Sequence, residues 1–141
     1  MTIMSDAIRE FLDKPHFAVV ATLTSDGMPH QTVVWYMRDG DDIIFSVPYD
    51  SMKHKHLKRD NRISLCMEEG FSYVTIMGTV YLEEDPHIAR EEYGQLGARY
   101  RGAITTPPPT RPPSGKTADL LSRERVGVRV KIEKIISQGV E

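Results

Sequence analysis

Apolar residues are arranged along the chain in short runs separated by glycine, proline and aspartate. Ile8, Phe11 and Leu12 fall at i, i+3 and i+4, which predicts a short amphipathic helix from about Ser5 to Asp13, ended by Pro15. Phe17 to Leu23 is a continuous apolar run and reads as a buried strand. Ser25-Asp26-Gly27 is a turn, because Asp-Gly supplies the positive φ that a tight hairpin needs. Gln31 to Met37, rich in β-branched and aromatic residues, is predicted as a second strand. A turn over Arg38-Asp39-Gly40-Asp41-Asp42 leads to a third strand, Ile43 to Val47, stopped by Pro48.

The pattern then changes. Ser51 to Asp60 carries no strand signal and reads as one short helix. Ile63 to Met67 and Phe71 to Leu82 are strands joined by a turn at Glu68-Glu69-Gly70. Asp85-Pro86 is a cap followed by proline at the first helical position. Ala89, Tyr93, Leu96 and Tyr100 mark one face of a helix reaching about Arg101. The segment 102–116 is irregular, and its prolines at 107–109, 112 and 113 predict a semi-rigid loop over a ligand or a partner subunit. Val126, Val128, Val130 and Ile132 then alternate with Gly127, Arg129, Lys131 and Glu133, a strand with one wet face. The expected architecture is mainly β: six antiparallel strands closed into a barrel, with a few short helices, in one domain over 1–141.

Composition narrows the function classes. A net charge of -2 argues against general nucleic-acid binding, which wants a strongly basic face. No apolar run is long enough to cross a bilayer as a helix, and the N-terminus lacks a signal pattern. The lone Cys66 cannot form an internal disulfide and is expected buried and inert, so a reducing, cytoplasmic setting is predicted. His54 and His56 are two apart and do not share a helix face, and His16, His30 and His87 are scattered, so no metal site is expected. Gly115-Lys116-Thr117 imitates the tail of a phosphate-binding loop but has Thr110 where the earlier glycine belongs.

The chemistry concentrates in Ser51 to Arg62, where Lys53, Lys55, Lys58, Arg59 and Arg62 are joined by His54 and His56. Two readings stand. One is a solvated basic helix face with Met52 and Leu57 packed inward. The other is an anion grip, since a helix start offers free N–H groups and partial positive charge, to which Ser51 and Lys53 would add.

The sequence also resembles a known family. Phe17 to Leu23 running into Asp26-Gly27-Met28-Pro29, then Val33-Val34-Trp35-Tyr36, Ser51-Met52-Lys53, Leu57 to Ser64, Gly78-Thr79-Val80, Arg99 to Gly102 and Arg125 to Val130 occur in the order seen in the pyridoxamine-5′-phosphate-oxidase-like split β-barrel superfamily. Within it they are similar to the deazaflavin (coenzyme F-420)-dependent oxidoreductases. The resemblance implies a homodimer with cofactor sites at the interface and Lys53 on the cofactor phosphate, with Ser51, Met52 and Lys55 beside it. It implies that Gln31, Thr32, Val33 and Val34 line the flat ring and that Ser46 and Val47 flank the ribityl chain. Trp35 and Tyr36 are placed near the ring or the dimer seam, with plain packing as the other reading of Trp35.

The implied activity is hydride transfer between F-420 and a small organic substrate, with the cofactor carrying the chemistry. The alternatives are an FMN-dependent oxidase or reductase and a non-enzymatic flavin- or tetrapyrrole-binding protein. No catalytic acid or base is assigned; Tyr36 and Tyr73 are candidate proton donors or packing residues, and Arg111 and Lys116 candidate contacts to an acidic cofactor tail. The chain departs from the family in three places. Met52 stands where many FMN-binding members have arginine, which favours a phosphate diester. His56 stands where relatives often have asparagine. The sequence stops at Gln138-Gly139-Val140-Glu141, without the Arg/His-bearing segment of the true pyridoxamine phosphate oxidases, which argues against that activity.

Overall fold

The computed structural model describes residues 4–101 and 124–140, so the proline-rich segment, with Arg111 and Lys116, lies outside the described residues. Helix α1 (Asp6–Asp13) is capped by Ser5, whose hydroxyl accepts the Ile8 N–H, and buries Ile8, Phe11 and Leu12. Strands β1 (Ala18–Leu23) and β2 (Pro29–Val34) form the first hairpin; β3 (Met37–Asp39) and β4 (Asp42–Pro48) form the second. Helix α2 (Met52–Arg59) separates them from β5 (Arg62–Glu69) and β6 (Ser72–Glu83). Helix α3 (Pro86–Tyr100) and the long β7 (Arg125–Gln138) complete the described chain. Among these residues no helix is long and apolar enough to cross a membrane.

All strands pair antiparallel in one seven-stranded sheet, ordered β2-β1-β5-β6-β7-β4-β3. The mainly β architecture is as expected, but the described residues form seven strands rather than six. The predicted strand over Gln31 to Met37 is cut at Trp35-Tyr36, because its two halves pair at opposite edges of the sheet, β2 with β1 and β3 with β4. A flat sheet of seven strands would hold those edges roughly 29 Å apart at ~4.8 Å per step. From Val34 to Met37 the chain spans at most about 11 Å. The sheet must therefore roll up until its edges adjoin, which gives the split barrel its closure.

The barrel interior is filled by Val20, Phe45, Val47, Leu65, Val74, Ile76, Val128 and Val130. One bulge shapes its long wall. Gly78 pairs with Ile132 and Met77 with Lys134, so Glu133 is the extra residue in β7. A Cβ at Gly78 would sit 2.0 Å from the Lys131 carbonyl oxygen, so glycine is required for this close approach. The shift also changes the alternation, so that Ile132 and Ile135 both pack against the core.

The crossing at Trp35-Tyr36 buries Tyr36 completely, and the backbone there needs partners. Tyr100, at the end of α3, provides them. Its hydroxyl accepts the Tyr36 N–H (3.1 Å) and donates to the carbonyls of Tyr36 and His16. The Tyr36 hydroxyl donates to the Leu12 and Lys14 carbonyls (2.9 and 3.2 Å). Arg99 donates to the carbonyls of Leu12, Asp13 and Lys14, and its guanidinium lies over the Tyr36 and Tyr100 rings. Replacing Tyr100 with phenylalanine keeps the ring but orphans the Tyr36 N–H, a loss of about 1–3 kcal/mol. Urea unfolding of Tyr100→Phe should show that loss, while Tyr81→Phe at an exposed position should match wild type. Equal stability for all three proteins would refute the role given to Tyr100.

Candidate functional site

A cleft of about 470 Å³ opens where the end of β2, the end of β4, the first turn of α2, the middle of α3 and the start of β7 converge. One part is apolar and aromatic, made by Phe17, Val33, Val34, Trp35 and Leu96. The other is polar, with Ser46, Lys53, Tyr93 and Arg125 around Pro48. Trp35 is fixed by stacking on Tyr100, with ring centroids 5.0 Å apart and planes 5° from parallel. Phe17 also stacks on Tyr100, at 5.9 Å.

The cationic part is built by local rules. The chain leaves β4 through a tight turn in which Asp50 takes φ +62°, and Ser51 caps α2 by accepting the His54 N–H. This sets Lys53 in the first turn, facing the cleft. Arg125 opens β7 directly opposite Pro48. Its Nε donates to Ser46 Oγ (3.0 Å) and its guanidinium carbon lies 4.1 Å from the Tyr93 ring centroid. Burial lowers the pKa of Lys53, and the nearby Arg125 charge lowers it further. Burial also lowers that of Arg125. Among the described residues neither cation has a carboxylate within ion-pair distance.

Of the residues singled out from the sequence, Val33, Val34, Trp35, Ser46 and Lys53 meet in this cleft. The others do not line it. Alternation along β2 leaves Gln31 exposed on the outer face and turns Thr32 inward, where its buried hydroxyl has no hydrogen-bond partner. Val47, next to Ser46, points the other way into the core opposite Val126. Ser51 serves as the helix cap. The 100° step of a helix turns Met52 and Lys55 away from the direction of Lys53 and out to solvent, with Lys55 3.9 Å from Asp50.

Tyr36 and Tyr73, weighed above as proton donors, do not line the cleft either. Tyr36 is fully buried with its hydroxyl engaged, and burial, then the neighbouring Tyr100, raises its pKa. Cys66, expected buried, is half-exposed on β5. Tyr93, Leu96 and Arg125 were missed as site residues. The first two stood out only as one helix face, and Arg125 only as the first residue of a stretch that resembles the family. Among the described residues, no three His, Cys, Asp or Glu side chains gather as metal ligands.

A sheet rolled up across a two-residue connector, with a half-apolar, half-cationic cleft at the seam, defines a class of barrel that suits a flat ligand carrying an anion. Residues 4–138 match the pyridoxamine 5′-phosphate oxidase family, and the chain belongs to it. The family is one of oxidoreductases and binding proteins for flavin-type cofactors. Its structure is similar to that of a conserved hypothetical protein from Mycobacterium tuberculosis, at 27% identity and a TM-score of 0.74, over 96% of this chain and 84% of that one. It is also similar to an F420 reductase, at 23% identity and a TM-score of 0.70, over 91% and 94% of the two chains. General stress protein 26 from Bacillus anthracis aligns at 13% identity with a TM-score of 0.68, over 96% and 94%. None of the curated proteins compared matches the chain.

The underside of α2 is unusually polar. His54 is buried, accepting the Asp50 N–H at Nδ1 (2.8 Å) with Nε2 3.3 Å from Glu84. His56 is buried with Nδ1 2.8 Å from the Thr22 hydroxyl and its ring edge-on to His30 at 5.6 Å. Burial, then Arg59, His30 and Lys53, lowers the His56 pKa from its ordinary 6.5. The unfolded chain therefore takes up this proton more readily than the folded one, so the contribution of His56 to stability is complete above pH 6.5 and is lost as pH falls below it. The lowered carboxylates Asp13, Asp42 and Asp60 act below their ordinary value of 3.8, in a separate window. Urea midpoints between about pH 8 and about pH 5.5 should fall in wild type and fall less in His56→Asn. Identical slopes would remove His56 as the cause.

Proposed function

We propose that this protein is an oxidoreductase that uses the deazaflavin coenzyme F-420 to transfer a hydride to or from a small organic substrate. The observation that carries this reading is the divided cleft, apolar and aromatic along Val33, Val34 and Trp35 and cationic at Lys53. When bound, the coenzyme supplies the hydride chemistry. The chain's own groups supply placement. Lys53 meets the phosphate with a charge-assisted bond. The Val33 and Val34 segment and the pinned Trp35 ring hold the flat ring and keep water from it. The coenzyme's phosphate is an internal diester carrying less charge than a terminal monoester, which suits an α2 whose residue before Lys53 is the uncharged, exposed Met52.

FMN is the second reading, and the observation that favours it is Arg125, a further cation in the same cleft. A homodimer is part of the proposal. Phe17, Val19 and Val33 leave an apolar strip exposed on the outer face of β1 and β2, beside the cleft, which a second copy would cover.

Titration of F-420 and FMN against the purified protein, followed by fluorescence, tests the reading. Micromolar binding of F-420, with Lys53→Ala weakening it about tenfold or more, is the expected result. Preferential binding of FMN would transfer the reading to flavin, and binding of F-420 without turnover on a broad substrate panel would favour a carrier or sensor. Unchanged affinity for both cofactors in Lys53→Ala would sink the site assignment. Light scattering should give twice the 16.0 kDa chain mass.

A further inference from the structure

Helix α2 brings one cation into the cleft, since Met52 and Lys55 are turned to solvent. A lone ammonium is a point charge without directional grip. A second cation reaches the same cleft from another element, and its setting differs from that of other arginines in the sheet. Arg38 is paired with Asp13, Arg62 with Asp60, and Arg129 with Asp39 and Asp42. Arg125 has no such partner among the described residues. It is held instead by a neutral hydroxyl and a ring, through Nε to Ser46 and through one face to Tyr93. These contacts fix the plane of the guanidinium and leave its two terminal nitrogens without a hydrogen bond to any described residue, beside Ser46 and Lys53 at the cleft wall. Two half-buried cations on one cleft repel each other until an anion lies between them.

We propose that Arg125 is a phosphate-binding residue that closes with Lys53 as a two-pronged clamp, one prong from β7 and one from α2, on the phosphate ester of the bound cofactor. Resting on the cofactor reading above, this adds a residue that the α2 segment alone would never indicate. The clamp supplies from β7 the charge that Met52 does not supply from α2. Its fork can bind two phosphate oxygens at once. A monoester dianion should profit from the second prong more than a diester.

The test compares wild type, Arg125→Gln, Arg125→Lys and Ser46→Ala, each checked for folding by circular dichroism and melting temperature. The probes are F-420, FMN, riboflavin, which has the ring but no phosphate, and inorganic phosphate. Arg125→Gln should weaken the phosphate-bearing cofactor by about ten- to a hundredfold and leave riboflavin within about twofold. Arg125→Lys should recover part of the loss, and the loss should be larger for FMN than for F-420. Ser46→Ala, which frees the guanidinium without removing it, should show a smaller loss of the same kind and keeps the question answerable if Arg125→Gln does not fold. Inorganic phosphate should raise the melting temperature of wild type and not of Arg125→Gln.

Undiminished phosphate-ligand binding by Arg125→Gln would overturn the proposal. So would an equal loss for riboflavin, which would mark Arg125 as a packing residue. If wild type binds no flavin or deazaflavin, the cofactor reading fails by itself; the clamp then stands if phosphate still stabilises wild type through Arg125, and falls if it does not.

Discussion

Two residues carry the chain from one edge of a seven-stranded sheet to the other, and the rest of the architecture answers to that constraint. Strands β2 and β3 can adjoin only if the sheet is rolled up, and the connector Trp35-Tyr36 then lies in the seam, with Tyr36 away from water. A buried connector leaves a peptide N–H and C=O that no ladder satisfies. The Tyr100 hydroxyl is the partner of both at Tyr36. For that hydroxyl to reach, α3 must lie across the seam, and Arg99 fixes it there by binding three carbonyls at the end of α1. Once α3 is so placed, Leu96 and Tyr93, one and two turns earlier, stand over the space beside the seam. The cleft wall is thus a consequence of closing the sheet.

The charges of the cleft follow a different logic from those of the surface. On the solvent-facing side of β4 and β7, arginine and lysine meet aspartate, as in the cluster of Arg129 and Lys131 with Asp42. Such pairs contribute little each and need no ligand. In the cleft, Lys53 and Arg125 face each other partly out of water, and both are held less basic than usual. An arrangement that opposes its own charging is poor support for a fold and good preparation for an anion. Thr22, His30 and His56 extend the polar region beneath α2, so the helix that presents Lys53 is seated on hydrogen-bonding groups rather than on aliphatic side chains alone.

The elements themselves were readable from the residues because their signals are local. Ser5, Ser51 and Asp85 cap their helices, and alternation in β7 follows its buried face as far as the bulge. The break at Trp35-Tyr36 was not readable, since Val33 to Met37 is one apolar and aromatic run and strand propensity does not say which neighbour a strand pairs with. The bulge at Glu133 was hidden for the same reason: Gly78 looks ordinary until the Lys131 carbonyl is placed against it. Lys53 could be found from a serine cap and a basic run within one segment. Arg125 could not, because its meaning comes from lying opposite Pro48 across the β4 and β7 pairing. Tyr93 was legible as part of a helix face, but Ala89, Leu96 and Tyr100 on that face go to the interior while Tyr93 turns to the guanidinium.

That cross-strand origin ties recognition to register. Side chains alternate on a strand, so a slip of β7 by one residue against β4 would send Arg125 to the opposite face and bring Val126 to the cleft. Ser46 and Val47 show how sharp the alternation is here: the first holds the Arg125 Nε, and the second is sealed in the core beside Val126. The register of β7 is held by its second partner. Pairing with β6 continues from Glu83 to Tyr73, and the bulge accepted only by Gly78 gives that pairing a single alignment. A glycine on β6, with no atom in the cleft, thereby determines which face of β7 the arginine occupies. With Met52 neutral and solvated, the second charge of the cleft is a property of how three strands are aligned, whereas the first belongs to one helix turn.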